Sequence, residues 1–176
     1  LSTALKYNPS DKFINHLTFS KYNVKRTANL YTDAQDDYKG SRKSLTYFGN
    51  YNFDLDSSIV FGAETEFDTM NFTQNDTFTA YNKEGATTNS VYADYQKRFT
   101  KNIYATFGGR MDDHSVVGEE GSYRTTLAYL FDDKTTKIKG SYGKAFRFPS
   151  LYELYFVSGA HPKIREDIKA ETSKGF

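Results

Sequence analysis

The side chains best suited to chemistry in this 176-residue sequence are its three histidines and its carboxylates, since it contains no cysteine. That absence excludes a disulfide framework, a thiol nucleophile and any thiolate-held metal. His114 directly follows Asp112 and Asp113, a carboxylate–carboxylate–imidazole trio of the kind that coordinates divalent metals. Neighbouring strand residues point to opposite faces, however, so the three need not converge, and a loop-edge role is the preferred reading. The acidic cluster at 33–37 and the pair Glu119–Glu120 offer oxygen ligands without a calcium-loop pattern, and read as solvated loops. Glu64 and Glu66 share one strand face and have the proximity of a carboxylate pair, but no nucleophile and base accompany them. No Gly-x-Ser-x-Gly, P-loop, dinucleotide fingerprint or His-Glu-x-x-His is present. Gly108–Gly109 lacks the following helix that phosphate binding needs and better suits a bulky neighbour or a bend. The residues therefore assign no catalytic group, no metal and no cofactor, and the chain is not read as an enzyme.

The elements that would carry these side chains follow from composition and periodicity. Aromatics make up 17% of the chain, with 15 Tyr, 15 Phe and no Trp, while mean hydropathy is only −0.71. A net charge of +1 argues against a general nucleic-acid footprint. No apolar run is long enough for a transmembrane helix, and no hydrophobic leader of the secretory kind is seen. Period-2 alternation dominates instead. Ile103, Ala105, Phe107, Gly109 and Met111 share one face, and Tyr104, Thr106, Gly108, Arg110 and Asp112 the other. Leu45–Phe53, Ile59–Phe67, Val91–Tyr95, Tyr123–Phe131 and Ile138–Phe146 alternate in the same way. Lys144 interrupts the apolar face near the far end of its strand, where an interface is expected.

These segments run roughly ten to thirteen residues, against about five or six for ordinary strands. A tilted strand crossing a bilayer needs about 9–11. Short turns at Asn8–Lys12, Asp54–Ser57, Phe99–Asn102 and Asp132–Lys134 alternate with longer polar connections near 25–42, 70–87 and 148–168 and a medium one at 114–120. Sorting of short and long connections to opposite ends is the pattern of an antiparallel up-and-down membrane barrel. On that reading the apolar face meets outer-membrane lipid, and Glu64, Glu66, Asp94, Arg110, Arg124, Lys137 and Lys139 face a hydrated or plugged lumen. A soluble sheet would instead need something broad to cover its Tyr/Phe face. About seven full strands and two partial ones are legible, an odd number, whereas bacterial single-chain barrels have even numbers. The fold expected is an all-β, antiparallel up-and-down transmembrane segment of a larger barrel.

Three stretches carry a family resemblance: Gly109–Ser115 (GRMDDHS), Gly140–Tyr155 (GSYGKAFRFPSLYELY) and His161–Phe176 (HPKIREDIKAETSKGF). Their order resembles TonB-dependent outer-membrane receptors, whose members often carry Phe-(Arg/Lys)-x-Pro-(Ser/Thr) followed by Glu-Leu-Tyr at a strand end. The last stretch departs from the family pattern, with His161-Pro162 in place of Asn-Pro and no second proline before Glu171. The resemblance is strong over 102–176 and general before that. It implies a 22-stranded barrel of which residues 1–176 form a part, with the plug domain and TonB-binding segment not visible in the chain. It also implies the Gram-negative outer membrane, partners in the receptor's own plug and TonB, and uptake of a scarce nutrient such as a ferric siderophore. In the expected extracellular loop, Tyr152, Tyr155, Phe156 and His161 are candidate ligand contacts, with packing of the loop on the barrel rim as the competing role. A complete eight-stranded barrel with a structural or adhesive role is the alternative.

Overall fold

The computed structural model describes residues 1–29, 35–74, 80–155 and 167–176. They form one sheet of nine antiparallel strands in which every strand pairs with its neighbours in sequence. The strands are β1 (Ser2–Ser10), β2 (Phe13–Asn29), β3 (Gln35–Asn52), β4 (Ser57–Gln74), β5 (Ala80–Arg98), β6 (Ile103–His114), β7 (Gly118–Leu130), β8 (Lys137–Arg147) and β9 (Glu171–Gly175). A five-residue helix, α1 (Leu151–Tyr155), lies between β8 and β9. Strands β1 and β9 are the sheet edges, each paired on one side only. Nine strands with two open edges differ from a closed eight-stranded barrel.

β6, β7 and β8 have 12, 13 and 11 residues, the lengths their alternation predicts. β2 to β5 are longer, at 17, 18, 18 and 19 residues. Much of what reads as polar connection at 25–42 and 70–87 is therefore paired strand. The reason is that ladder hydrogen bonds join backbone groups whatever the side chains are. Apolar alternation records the side chains and not the ladder, so its end does not mark the strand end.

One face of the sheet is apolar and open: Phe19, Leu45, Phe67, Val91, Phe107, Met111, Leu127 and Ile138 are all exposed. Aromatic contacts border it near the short turns, with Tyr51–Phe53 ring centroids 5.1 Å apart and Tyr129–Phe131 5.0 Å apart. The opposite face is polar and better packed, and Ser90, Asp112 and His114 are buried there. Gly108 serves this face, because the Asp94 carboxylate lies where a Cβ would stand. Gly62 does the same on β4, where the Tyr92 ring crosses it.

The short turns are closed by side chains. Asp54 Oδ1 accepts from the Asp56 N–H at 2.7 Å and the Ser57 hydroxyl at 2.8 Å. Asp133 Oδ1 accepts from Thr135 N–H and Thr136 N–H, each at 2.9 Å, and its Oδ2 from the Thr136 hydroxyl at 2.8 Å. These bonds favour the ionised carboxylate and hold Asp133 down at about 2, below its ordinary 3.8. A depressed carboxyl supports the fold above its unfolded value and loses that contribution as pH falls towards its folded value. The β7–β8 turn is therefore expected to loosen between pH 3.8 and about 2. Intrinsic-rate-corrected hydrogen exchange at Thr135 and Thr136 should accelerate over that range, and Asp133→Ala should exchange fast at neutral pH as well.

Candidate functional site

The polar face carries two linked charge networks across the central strands. Register places Thr46, Glu64, Ser90, Asp112 and Glu120 in one row over β3 to β7. The Arg110 guanidinium joins this row, with Nε 2.9 Å and Nη2 2.8 Å from Asp112 Oδ1. Nη2 also donates to Ser90 Oγ at 2.7 Å and to Glu64 at 3.3 Å. The Ser90 hydroxyl in turn donates to Asp112 at 2.6 Å, and Thr46 donates to Glu64 at 3.1 Å. Asp112 is only 4% exposed, and a buried carboxylate is tolerable only when paired and hydrogen-bonded in this way. The Arg110 plane also lies over the Tyr92 ring at 5.8 Å, a cation–π contact. Nearer the long-loop end, Arg42 bridges Glu66 at 3.2 Å and Asp68 at 2.7 Å.

The structure thus brings Glu64 and Arg110 into direct contact and gives Glu66 an arginine of its own. Asp94 lies over Gly108, and Arg124 is Gly108's register partner on β7. Tyr92, Asp94, Arg110, Ser122, Arg124 and Lys144 line a concavity of about 440 Å³. Lys144, which breaks the apolar alternation of β8, ion-pairs with Glu120 at 3.1 Å. Lys137 and Lys139 lie on β8 towards the short turns and have no ion pair among the described residues. Asp112 and His114 share the polar face, while Asp113 has the opposite parity. Asp112 is committed to Arg110, and His114 Nδ1 accepts from the Val116 and Val117 N–H groups at 3.2 and 3.3 Å. The trio does not converge on a metal.

Arg42 and Asp68 do not stand out in the sequence as polar-face residues, whereas Asp112 shares the face of Arg110 there. Parity carries them: Arg42 continues Thr46 and Ser44, Asp68 continues Glu64 and Glu66, and Asp112 continues Arg110. A reading that ends β3 at Leu45 and β4 at Phe67 stops just short of the first two.

After β8 the chain turns across the polar face. Phe148 packs on His114 with ring centroids 4.9 Å apart. α1 lies against β4 and β5 with Leu154 buried to 1% exposure. The helix starts with a capping box. Ser150 Oγ accepts from the Glu153 N–H at 3.2 Å, and Glu153 accepts from the Ser150 N–H at 2.7 Å. Arg147 clasps the Glu153 carboxylate at 3.0 and 3.1 Å and reaches Glu171 on β9 at 3.1 Å. The Arg147 bonds and then those from Ser150 hold Glu153 down at about 2. Tyr155 donates to the Gly85 carbonyl at 3.4 Å, and the Tyr152 ring is 6.3 Å from Tyr38. Phe156 and His161 lie outside the described residues.

Among known proteins, a family model described as "TonB dependent receptor-like, beta-barrel" matches residues 1–176. No curated protein sequence matches. Ten solved chains resemble this one. One is the siderophore receptor PirA from Pseudomonas aeruginosa, at 19% identity with a TM-score of 0.57. The similarity covers 98% of this chain and 40% of that one, so the chain spans about two fifths of the solved structure it matches. At that identity the likeness is one of fold.

The Arg110 network predicts coupled energetics. Arg110→Met leaves the buried Asp112 carboxylate without its cation, with the Ser90 hydroxyl still donating to it, and should destabilise the intact protein by about 3–5 kcal/mol, the usual cost of removing one partner of a buried ion pair. Arg110→Met combined with Asp112→Asn should cost less than the two single changes added together. Urea unfolding of the four proteins of this double-mutant cycle measures the difference.

Proposed function

The chain belongs to the TonB-dependent receptor β-barrel family, and on that footing we propose that it forms part of the barrel of an outer-membrane receptor for energised uptake of a ferric siderophore. The whole-length family match carries this reading. TonB-dependent receptor barrels are outer-membrane proteins, and both the family and the solved relative are receptors. Residues 1–176 would supply consecutive strands of the barrel, and the plug domain and TonB-contacting segment would belong to other parts of the receptor.

The two faces suit this role. The apolar belt meets hydrocarbon, and the aromatic rings beside the short turns sit at one interface. The polar face looks into the lumen, where Glu64, Glu66, Asp94, Arg110, Arg124, Lys137 and Lys139 form a wall against which a plug can rest. In the concavity beside Asp94, Arg110 and Lys144 are held by carboxylates of the row, which leaves Arg124 as the cation without an ion pair among the described residues, placed to meet an acidic group of a plug or a passing anionic chelate. The strap from Phe148 to Tyr155 crosses the same face, near the mouth opposite the short turns. Tyr152 and Tyr155 belong to this crossing, and we assign them, with Phe156 and His161, to ligand contact. Tyr152 keeps 40% of its surface exposed and offers a ring to an aromatic or hydrophobic chelate. Transport of this kind moves a bound solute and makes or breaks no covalent bond.

Two measurements check this reading. Titrating the intact protein with ferric hydroxamate and ferric catecholate chelates should give saturable binding, weakened about tenfold or more by Tyr152→Ala, as for an aromatic contact residue. Absence of binding for every chelate class would overturn the siderophore assignment and leave the barrel intact. Separately, Leu127→Arg on the belt should destabilise the bilayer-inserted protein by about 2–4 kcal/mol if Leu127 lies near mid-bilayer. A sheet bathed in water would tolerate that change.

A further inference from the structure

On the apolar face, the register places four lysines in two opposed pairs, Lys21 with Lys43 and Lys25 with Lys39, all on β2 and β3. Like charges directly opposite one another destabilise a sheet. Lys25 has an acidic partner in Asp37 at 3.3 Å, whereas Lys21, Lys39 and Lys43 form no ion pair among the described residues. The column begins where the apolar belt ends. Phe67 faces Lys43 across β4, and Leu45 is the next outward residue below it. From Tyr51 to Lys43 the strand climbs about 27 Å at about 3.4 Å per residue. Tilt of about 40° shortens that to about 21 Å, near the height of a barrel's apolar band.

Two depressions flank the Lys21–Lys43 pair. Below it is an apolar groove of about 510 Å³ lined by Leu17, Leu45, Tyr47, Ala63, Val91 and Met111. Above it is a second groove of about 490 Å³ lined by Asn23, Lys25, Lys39, Ser41, Thr69 and Asn71. The far rim of the lower groove carries Asp113 and Glu119, which face each other across β6 and β7. An anionic group is repelled at that rim and attracted at the lysine side.

We propose that this part of the wall is a binding site for a phosphate-bearing acylated lipid of the surrounding leaflet. Its acyl chain fills the lower groove, its phosphate sits between Lys21 and Lys43, and its head group reaches Lys39 and the polar groove. The phosphate relieves the repulsion of the opposed ammonium groups, and the acidic rim sets the lipid's orientation. The site rests on the membrane reading of the apolar face but not on the identity of the transported solute.

The test uses the intact protein in non-ionic detergent micelles doped with dioleoyl phosphatidic acid or dioleoyl phosphatidylcholine, with bound lipid counted by native mass spectrometry. The wild type should retain phosphatidic acid over phosphatidylcholine by on the order of tenfold, as two lysines beside an anionic head group supply. Lys21→Gln with Lys43→Gln, both at exposed positions, should bring the two lipids level. Ala63→Phe, which fills the groove, should lower retention of both, and circular dichroism verifies that each variant keeps its strands. A preference that survives the double lysine change, retention unaltered by Ala63→Phe, or competition by millimolar inorganic phosphate overturns the site. Flotation of the wild type with phosphatidylcholine vesicles is scored in parallel. A protein that floats without lipid preference refutes this site alone, whereas one that does not float refutes the membrane reading beneath it.

Discussion

Register is the constraint on which the rest of this molecule depends. In a strand the side-chain period is two, so a slip of one residue exchanges the faces completely. Such a slip in β6 would turn Arg110 and Asp112 into the apolar belt and put Phe107 and Met111 among the carboxylates. Both faces penalise that error. On the polar side, the buried Asp112 carboxylate would lose its cation, a cost of about 3–5 kcal/mol; on the apolar side, if it faces lipid as proposed, each charge near mid-bilayer would cost about 2–4 kcal/mol. The alternation therefore selects a single pairing for each strand.

The two ends of the sheet solve different problems. At the short-turn end, Thr100 and Asp133 accept N–H bonds from residues two and three positions on, and Asp54 accepts from the N–H two positions on and the hydroxyl three on, which closes each hairpin locally. At the other end the strands outrun the apolar belt, and side-chain pairing takes over from alternation as the visible order. Arg42 with Glu66 and Asp68 is one such clasp, and Arg147 with Glu153 and Glu171 is another. The strap anchored by Leu154 joins β8 to β4 and β5 over the polar face. It ties together parts of the wall that the ladder alone leaves apart.

Charge is distributed unevenly between the faces. On the polar side, cations and carboxylates of the central strands mostly meet one another, and the least compensated region surrounds Asp94 and Arg124. On the apolar side the charges lie at the margin of the belt and include like-charged pairs.

The faces, the strand order and the short turns were legible in the sequence because each is local. Alternation shows within about ten residues, and an acceptor such as Asp133 acts on its immediate successors. The seven charged residues read as lumen-facing all fall on the polar parity. The sequence alone did not reveal that β2 to β5 continue as paired strands through polar stretches, because backbone pairing leaves no hydropathy trace there. It did not reveal that Arg110 meets Glu64 from 46 residues away, because such a contact depends on the summed register of three strands. Nor did it bring the Ser150–Glu153 capping box to notice as a helix. One turn of helix is too short to show a 3.6-residue period, and α1 is held by burying Leu154 against strands distant in sequence. Tertiary structure decided these features because each needs the pairing of several strands to be complete before its contacts exist.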